Sequence, residues 1–157
     1  MPKTVIEIKN LQSEPLPENT AKFVKKACRT VLKNEGFLSD AEISVSFVTQ
    51  EQIRALNRDY RNIDSVTDVL SFPLNENGYD INPQNGCAML GDVIICVTRA
   101  KQQACELKHS LLHEITFLTV HSVLHLLGFD HIKNEDAQIM IPKQVKAMDL
   151  IGETDEQ

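Results

Sequence analysis

Three of the five histidines in this 157-residue chain fall in one short segment, His121-Ser-Val-Leu-His125-Leu-Leu-Gly128-Phe-Asp-His131. Residues four apart on a helix project from the same face, about one turn from each other. His121 and His125 therefore form a chelating pair. Were the helix to continue, His131 would sit roughly 240° around from His125 and point away. Gly128 removes the difficulty, because glycine readily takes the left-handed conformation that ends a helix. The chain can then turn and carry His131 back toward the pair. Three neutral imidazoles on a borderline-soft cation, with one position left open to water, describe a catalytic zinc site.

The spacing, glycine included, is that of the metzincin pattern H-E-x-x-H-x-x-G-x-x-H. In those peptidases the residue after the first histidine is the Glu general base. Here it is Ser122, a hydroxyl with no useful basicity at neutral pH. The metal geometry is present and the peptidase's proton acceptor is absent, which tells against proteolysis. Asp130 precedes the last histidine and suits either a hydrogen bond to a ligand imidazole or a cap on the turn after Gly128. Glu114 lies two turns before His121 on the same face. It could orient His121 or sit in the cleft, and an ordinary ion-paired carboxylate fits it equally well. His109 and His113 share the i, i+4 spacing without a third partner nearby, and read as surface residues. Asp68 and Asp92 stand next to predicted strands and read as architectural.

These residues need a scaffold. Residues 4–8 read as a strand and 20–34 as a helix, with apolar Ala21, Val24, Cys28, Val31 and Leu32 on one face and Gly36 beyond its end. Ile43–Val48 alternates as a half-buried strand does. Thr49 and Gln52 form a capping-box pattern opening a short helix to about Arg58. Val69–Phe72 reads as a strand stopped by Pro73, and 74–87 as a long loop, a candidate flap. Val93–Val97 is a mostly apolar run, the mark of a central strand. Helices are predicted over about 98–107 and 109–127, with a last one from Asn134 that Pro142 should kink or interrupt. Strands precede long helices, which argues α+β: a small mixed β-sheet packed with helices around a central metal-bearing helix, a zincin-like arrangement.

Size and composition fit one domain over residues 1–157, its acidic tail from about Gly152 frayed. No uncharged apolar run is long enough for a membrane span, and the N-terminus lacks a signal peptide's apolar stretch, so the reading is cytoplasmic, with no membrane partner. The four cysteines show no C-x-x-C pair and are most simply free thiols. A net charge of −6 disfavours indiscriminate binding to nucleic acid, yet permits a local basic patch. Lys22, Lys25, Lys26, Arg29 and Lys33, with Arg54, Arg58 and Arg61, could build a track for an RNA backbone or form an ordinary solvated face.

Two further blocks accompany the histidines: Asn57-Arg-Asp-Tyr60-Arg61-Asn-Ile-Asp64-Ser-Val-Thr67-Asp68-Val-Leu-Ser71-Phe72-Pro73 and Leu90-Gly91-Asp92-Val-Ile. With the histidine segment, and in this order over nearly the whole chain, they resemble the YbeY family of bacterial metal-dependent endoribonucleases and ribosomal RNA maturation factors. The resemblance implies one zinc ion on His121, His125 and His131, although imidazoles accept other first-row metals. It implies Arg61 as the catalytic basic residue facing the substrate. It also implies single-stranded RNA as substrate, notably the 3′ end of small-subunit ribosomal RNA, with the ribosome or its assembly factors as partners and no role on DNA. Ser122 replaces the family's usual glycine, a small-for-small exchange of little expected effect, and Pro142 is atypical.

Zinc lowers the pKa of bound water to about 7 and polarises a phosphoryl oxygen, which suits the missing Glu. Arg61 offers a permanently charged fork for two phosphate oxygens. Without the family block it would serve as well in a surface ion pair with Asp59 or Asp64. Tyr60 and Phe72 are the family-block candidates for stacking on bases, Phe72 reading more as core. Two other readings carry distinct expectations: an assembly factor that binds without cutting, or a small metal-dependent hydrolase or peptidase.

Overall fold

The structure, a computed structural model, describes residues 2–74, 80–130 and 133–152. Ten elements follow in chain order: β1 (Thr4–Asn10), α1 (Thr20–Asn34), β2 (Ala41–Val48), α2 (Gln50–Arg61), β3 (Val69–Pro73), β4 (Asp80–Ile81), β5 (Ala88–Cys96), α3 (Val97–Leu107), α4 (Leu111–Leu126) and α5 (Asn134–Ile151). The sheet runs β1-β2-β5-β3. β1, β2 and β5 are parallel, and β3 lies antiparallel on the outer edge of β5, where β4 also pairs. This is the mixed sheet with helices that the sequence predicts.

Alternation along the strands divides the helices between two faces. Val93 and Ile95 of β5 join Val45 and Ile43 of β2 in one core with Val24, Cys28 and Val31 of α1 and Ile115, Val120 and Leu124 of α4. Ile94 and Cys96 point the other way, toward Ile53 of α2 and Leu70 of β3. Helix α4 is buried on most sides between α1, α3, α5 and the sheet, which explains its lack of a polar stripe. Its buried Thr116 and Thr119 hydroxyls donate to the carbonyls of Leu112 and Ile115, one turn back.

Boundaries move where local chemistry outweighs periodicity. Ser110 caps α4, its Oγ accepting from His113 N at 3.0 Å, so His109 lies before the helix. The Thr49–Gln52 capping box forms as expected, but α2 runs past Arg58 to Arg61 and ends on Asn62 at φ 59°. β5 begins five residues before the predicted Val93, at Ala88, so Asp92 lies inside the strand. A bulge explains the missed pattern: Glu42 pairs Met89 and Ile43 pairs Gly91, leaving Leu90 extra. Part of the predicted loop pairs as β4, with Asn82 anchored to Glu42 at 3.0 Å. Residues 75–79 of that loop lie outside the described residues.

Helix α5 continues through Pro142 rather than stopping there. Pro142 removes one backbone donor, leaving the Gln138 carbonyl without its helical partner. Both residues are exposed, so water can satisfy that carbonyl. All four cysteines are free, three of them buried. Burial pushes the Cys28 thiol up to about 12, which keeps it unreactive at neutral pH. No helix among the described residues is long and apolar enough to cross a membrane. The acidic tail beyond Gly152 lies outside the described residues.

Candidate metal centre and active-site cleft

A cleft of about 660 Å³ opens between α4 and β3. Its walls include Arg61, Asp68, Ser71, Phe117, His121, His125, Gly128 and Asp130. Helix α4 supplies the two histidines. They stand where the i, i+4 spacing put them, with Nε2 atoms 3.0 Å apart. The helix stops as predicted: Phe129 N bonds back to Leu124 O at 3.0 Å, and Gly128 takes φ 101°. His131 lies outside the described residues. Among the described residues no group of three or more His, Cys, Asp or Glu side chains forms a metal site.

The pair itself fits a divalent cation. His121 Nδ1 lies 2.5 Å from Gln144 Oε1. An amide oxygen only accepts, so Nδ1 carries the proton and donates it. The neutral ring therefore keeps its lone pair on Nε2, the atom facing His125. The nitrogens of two imidazoles on one tetrahedral zinc stand about 3.3 Å apart, from Zn–N bonds of about 2.0–2.1 Å. The observed separation is close to that edge. A ligand imidazole whose other nitrogen donates to a fixed carbonyl is the usual outer arrangement of such sites.

Gln144 is the residue that sequence reasoning missed. It sits on α5, buried, 23 positions after His121, and no local pattern connects the two. Glu114, considered for the same task, does something else. It is buried and accepts from Gln103 Nε2 at 3.4 Å, while the same nitrogen donates to Asp68 Oδ2 at 3.0 Å. Burial, and next the charge of Asp68, raise its pKa. Asp68 also accepts from Val69 N at 2.8 Å and Thr67 Oγ1 at 3.2 Å. It thus holds the start of β3 and ties that wall, through Gln103, to the histidine helix. Asp130 lines the same cleft.

Arg61 enters from the far wall. Its Nη2 donates to Ser71 O at 2.5 Å, and its guanidinium carbon stands 5.3 Å from the centre of the Phe72 ring. The acidic partners considered for it are engaged elsewhere: Asp64 with Arg54 at 2.8 Å and Asp59 with Arg58 at 3.2 Å. The Arg54 guanidinium holds the Asp64 carboxyl below its ordinary pKa. Arg54, Arg58 and Arg61 form one exposed stripe of α2. Lys25, Lys26 and Arg29 belong to α1, on the opposite face of the sheet, and Lys26 Nζ donates to Ile151 O at 2.7 Å. Of these six basic residues, Arg61 lines the cleft with the histidines and the other five do not. His109 and His113 stack on each other, ring centres 4.2 Å apart, outside the cleft. Asp92 is held by Ser44 within the sheet, its pKa raised chiefly by burial. Ser122, in the peptidase base's position, is fully buried and does not line the cleft.

Comparison with known proteins agrees with this architecture. The profile of the Endoribonuclease YbeY family matches residues 7–152. Endoribonuclease YbeY of Desulforamulus reducens is 41% identical over 146 residues, covering 92% of this chain and 95% of that protein. Endoribonuclease YbeY of Finegoldia magna is 45% identical, covering 94% of each. The solution structure of TM1509 from Thermotoga maritima superposes with a TM-score of 0.64 at 26% identity, covering 94% of this chain and 89% of that one. On the profile match and these identities, the chain belongs to the YbeY family of endoribonucleases.

Proposed function

We propose that the protein is a metal-dependent endoribonuclease that cuts single-stranded RNA. Its natural substrate, on this reading, is the 3′ end of small-subunit ribosomal RNA, processed in the cytoplasm during late ribosome assembly and quality control. The ribosome or its assembly factors are the proposed partners. One zinc ion is assigned to His121, His125 and His131.

The observation that carries this reading is the paired Nε2 atoms of His121 and His125, 3.0 Å apart in a cleft that Arg61 also lines. His121 and His125 would hold a divalent cation there, which would supply polarisation of a phosphoryl oxygen and a water of lowered pKa, toward about 7. The chain's own groups do the rest. Gln144 fixes the His121 tautomer. Arg61 offers its fork to the phosphate oxygens as negative charge accumulates, a contribution of about 3–4 kcal/mol. Asp130, on the same wall, is assigned the orientation of a ligand ring. Arg54 and Arg58 continue the stripe of α2 away from Arg61. Their exposed ion pairs hold little energy and can exchange for phosphates along the strand. Lys25, Lys26 and Arg29 are on the other side of the sheet and are given no part in that path.

Peptide hydrolysis is disfavoured, since the position of the peptidase base is a buried serine. His121→Ala is expected to lose zinc and RNA cleavage together. Arg61→Glu is expected to keep zinc while cleavage falls about 10²–10³-fold. Retained cleavage of unstructured RNA by zinc-free His121→Ala protein, against an identically purified inactive control, contradicts the assignment. Product ends report the nucleophile: a 2′,3′-cyclic phosphate for the RNA hydroxyl, simple hydrolytic ends for water.

A further inference from the structure

We infer that Phe72 and the Ser71 carbonyl are the positioning elements of Arg61, holding its guanidinium in the cleft before substrate arrives. The inference rests on the reading of Arg61 given above and adds what makes that residue effective. Arg61 is the last residue of α2 and is exposed. A long side chain in that position ordinarily samples many rotamers, and freezing them on binding costs entropy. Two contacts restrict it. Its Nη2 donates to Ser71 O at 2.5 Å, which fixes one corner of the fork. Its cationic carbon lies 5.3 Å from the centre of the Phe72 ring, within the range in which a ring face attracts a cation.

No carboxylate among the described residues is bonded to Arg61. This matters for the role. A carboxylate would position the fork but neutralise it. An aromatic face and a backbone carbonyl position it while leaving its full charge for a phosphate. Phe72 is itself held from both sides. It packs, partly buried, against the cluster that contains Val48, Ile53 and Leu70, and the Tyr60 ring meets it edge-on with centres 5.5 Å apart. Its partner across the ladder is Asp92 and that of Ser71 is Val93, so β5 fixes the height of both contacts. A rigid strand edge therefore sets the arginine opposite the histidine helix.

A double-mutant cycle tests this. Phe72→Leu removes the ring, Phe72→Met does so with conserved volume, and Phe72→Tyr keeps it. Each is combined with intact Arg61 and with Arg61→Ala, and kcat and KM are measured on a single-stranded RNA with metal content matched. Phe72→Leu and Phe72→Met are expected to lower kcat about tenfold with Arg61 present, Phe72→Tyr to restore it, and the loss to shrink below about twofold in Arg61→Ala. The Arg61 Nε–Hε resonance is expected to be sharp in the parent and to broaden in Phe72→Met. An equal loss in both backgrounds, with the resonance unchanged, overturns the positioning role while leaving Arg61 catalytic. Cleavage unaffected by Arg61→Ala overturns the functional reading of Arg61 instead.

Discussion

Gln144 and His121 meet across two helices, the amide oxygen 2.5 Å from Nδ1, and this single contact decides which ring nitrogen can serve as a metal ligand. Gln144→Leu keeps a side chain of similar size and removes the acceptor. The ring is then free to place its proton on Nε2, the wrong nitrogen. Zinc affinity is expected to fall about 10–100-fold, read by competition with a chromophoric chelator. Gln144→Glu retains the acceptor and adds charge, so it should bind zinc at least as tightly as the parent. Unchanged affinity in Gln144→Leu would remove the tautomer argument.

Ser122 offers a contrasting test, because its hydroxyl contributes to nothing visible. It is fully buried, and its Oγ has no hydrogen-bond partner among the described residues. An unsatisfied buried hydroxyl costs about 1–3 kcal/mol. Ser122→Ala keeps the Cβ and deletes only the polar atom. Stability should rise by about 1 kcal/mol, and Tm by roughly 2–4 °C, with RNA cleavage unchanged. A drop in stability would mean that the hydroxyl finds a partner after all.

Gly91 is a place where backbone contact, not chemistry, dictates the residue. It takes φ 142°, and an added Cβ would lie 2.3 Å from Phe72 O and 3.0 Å from Leu126 Cδ2. The first clash presses β3 off β5 next to the ring that faces Arg61. The second reaches the end of the histidine helix, one residue from His125. Gly91→Ala is expected to destabilise the protein by about 3 kcal/mol in urea unfolding and to reduce cleavage as well. A silent substitution would show that the two strands are not packed this closely.

The parts of this site that the sequence made legible are those encoded locally. The spacing of His121 and His125, the stop at Gly128 and the Thr49–Gln52 box each depend on the geometry of one turn of chain. The position of Arg61 depended on a family resemblance, since its contacts lie ten and eleven residues away on β3. What stayed hidden was long-range. Gln144 on α5, Gln103 on α3 and Asp68 before β3 reach the site only because three helices and a strand edge pack together, and no periodicity announces such a meeting. The Leu90 bulge hid the start of β5 for a related reason: one extra residue reverses the alternation by which strands are recognised.

Glu114 supplies the pH test. It is buried on α4, bonded to Gln103 Nε2, and its pKa is raised above 4.5 first by burial and then by the charge of Asp68. The folded protein therefore holds this proton more tightly than the unfolded chain does. Between 4.5 and the raised value the native state binds more protons, so this group's contribution to stability falls as pH rises through that window. Above the window the full penalty of an ionised buried carboxylate applies. Glu114→Gln removes the charge and keeps an oxygen to accept from Gln103. It should be more stable than the parent at neutral pH, and the difference should shrink on acidification and vanish below 4.5. Urea midpoints across that range read the effect directly. Zinc content should not change, because Gln144 and not Glu114 holds His121. A Glu114→Gln protein that is weaker at neutral pH would show that the ionised carboxylate is stabilised in the folded state, by Gln103 and His109, beyond the cost of its burial.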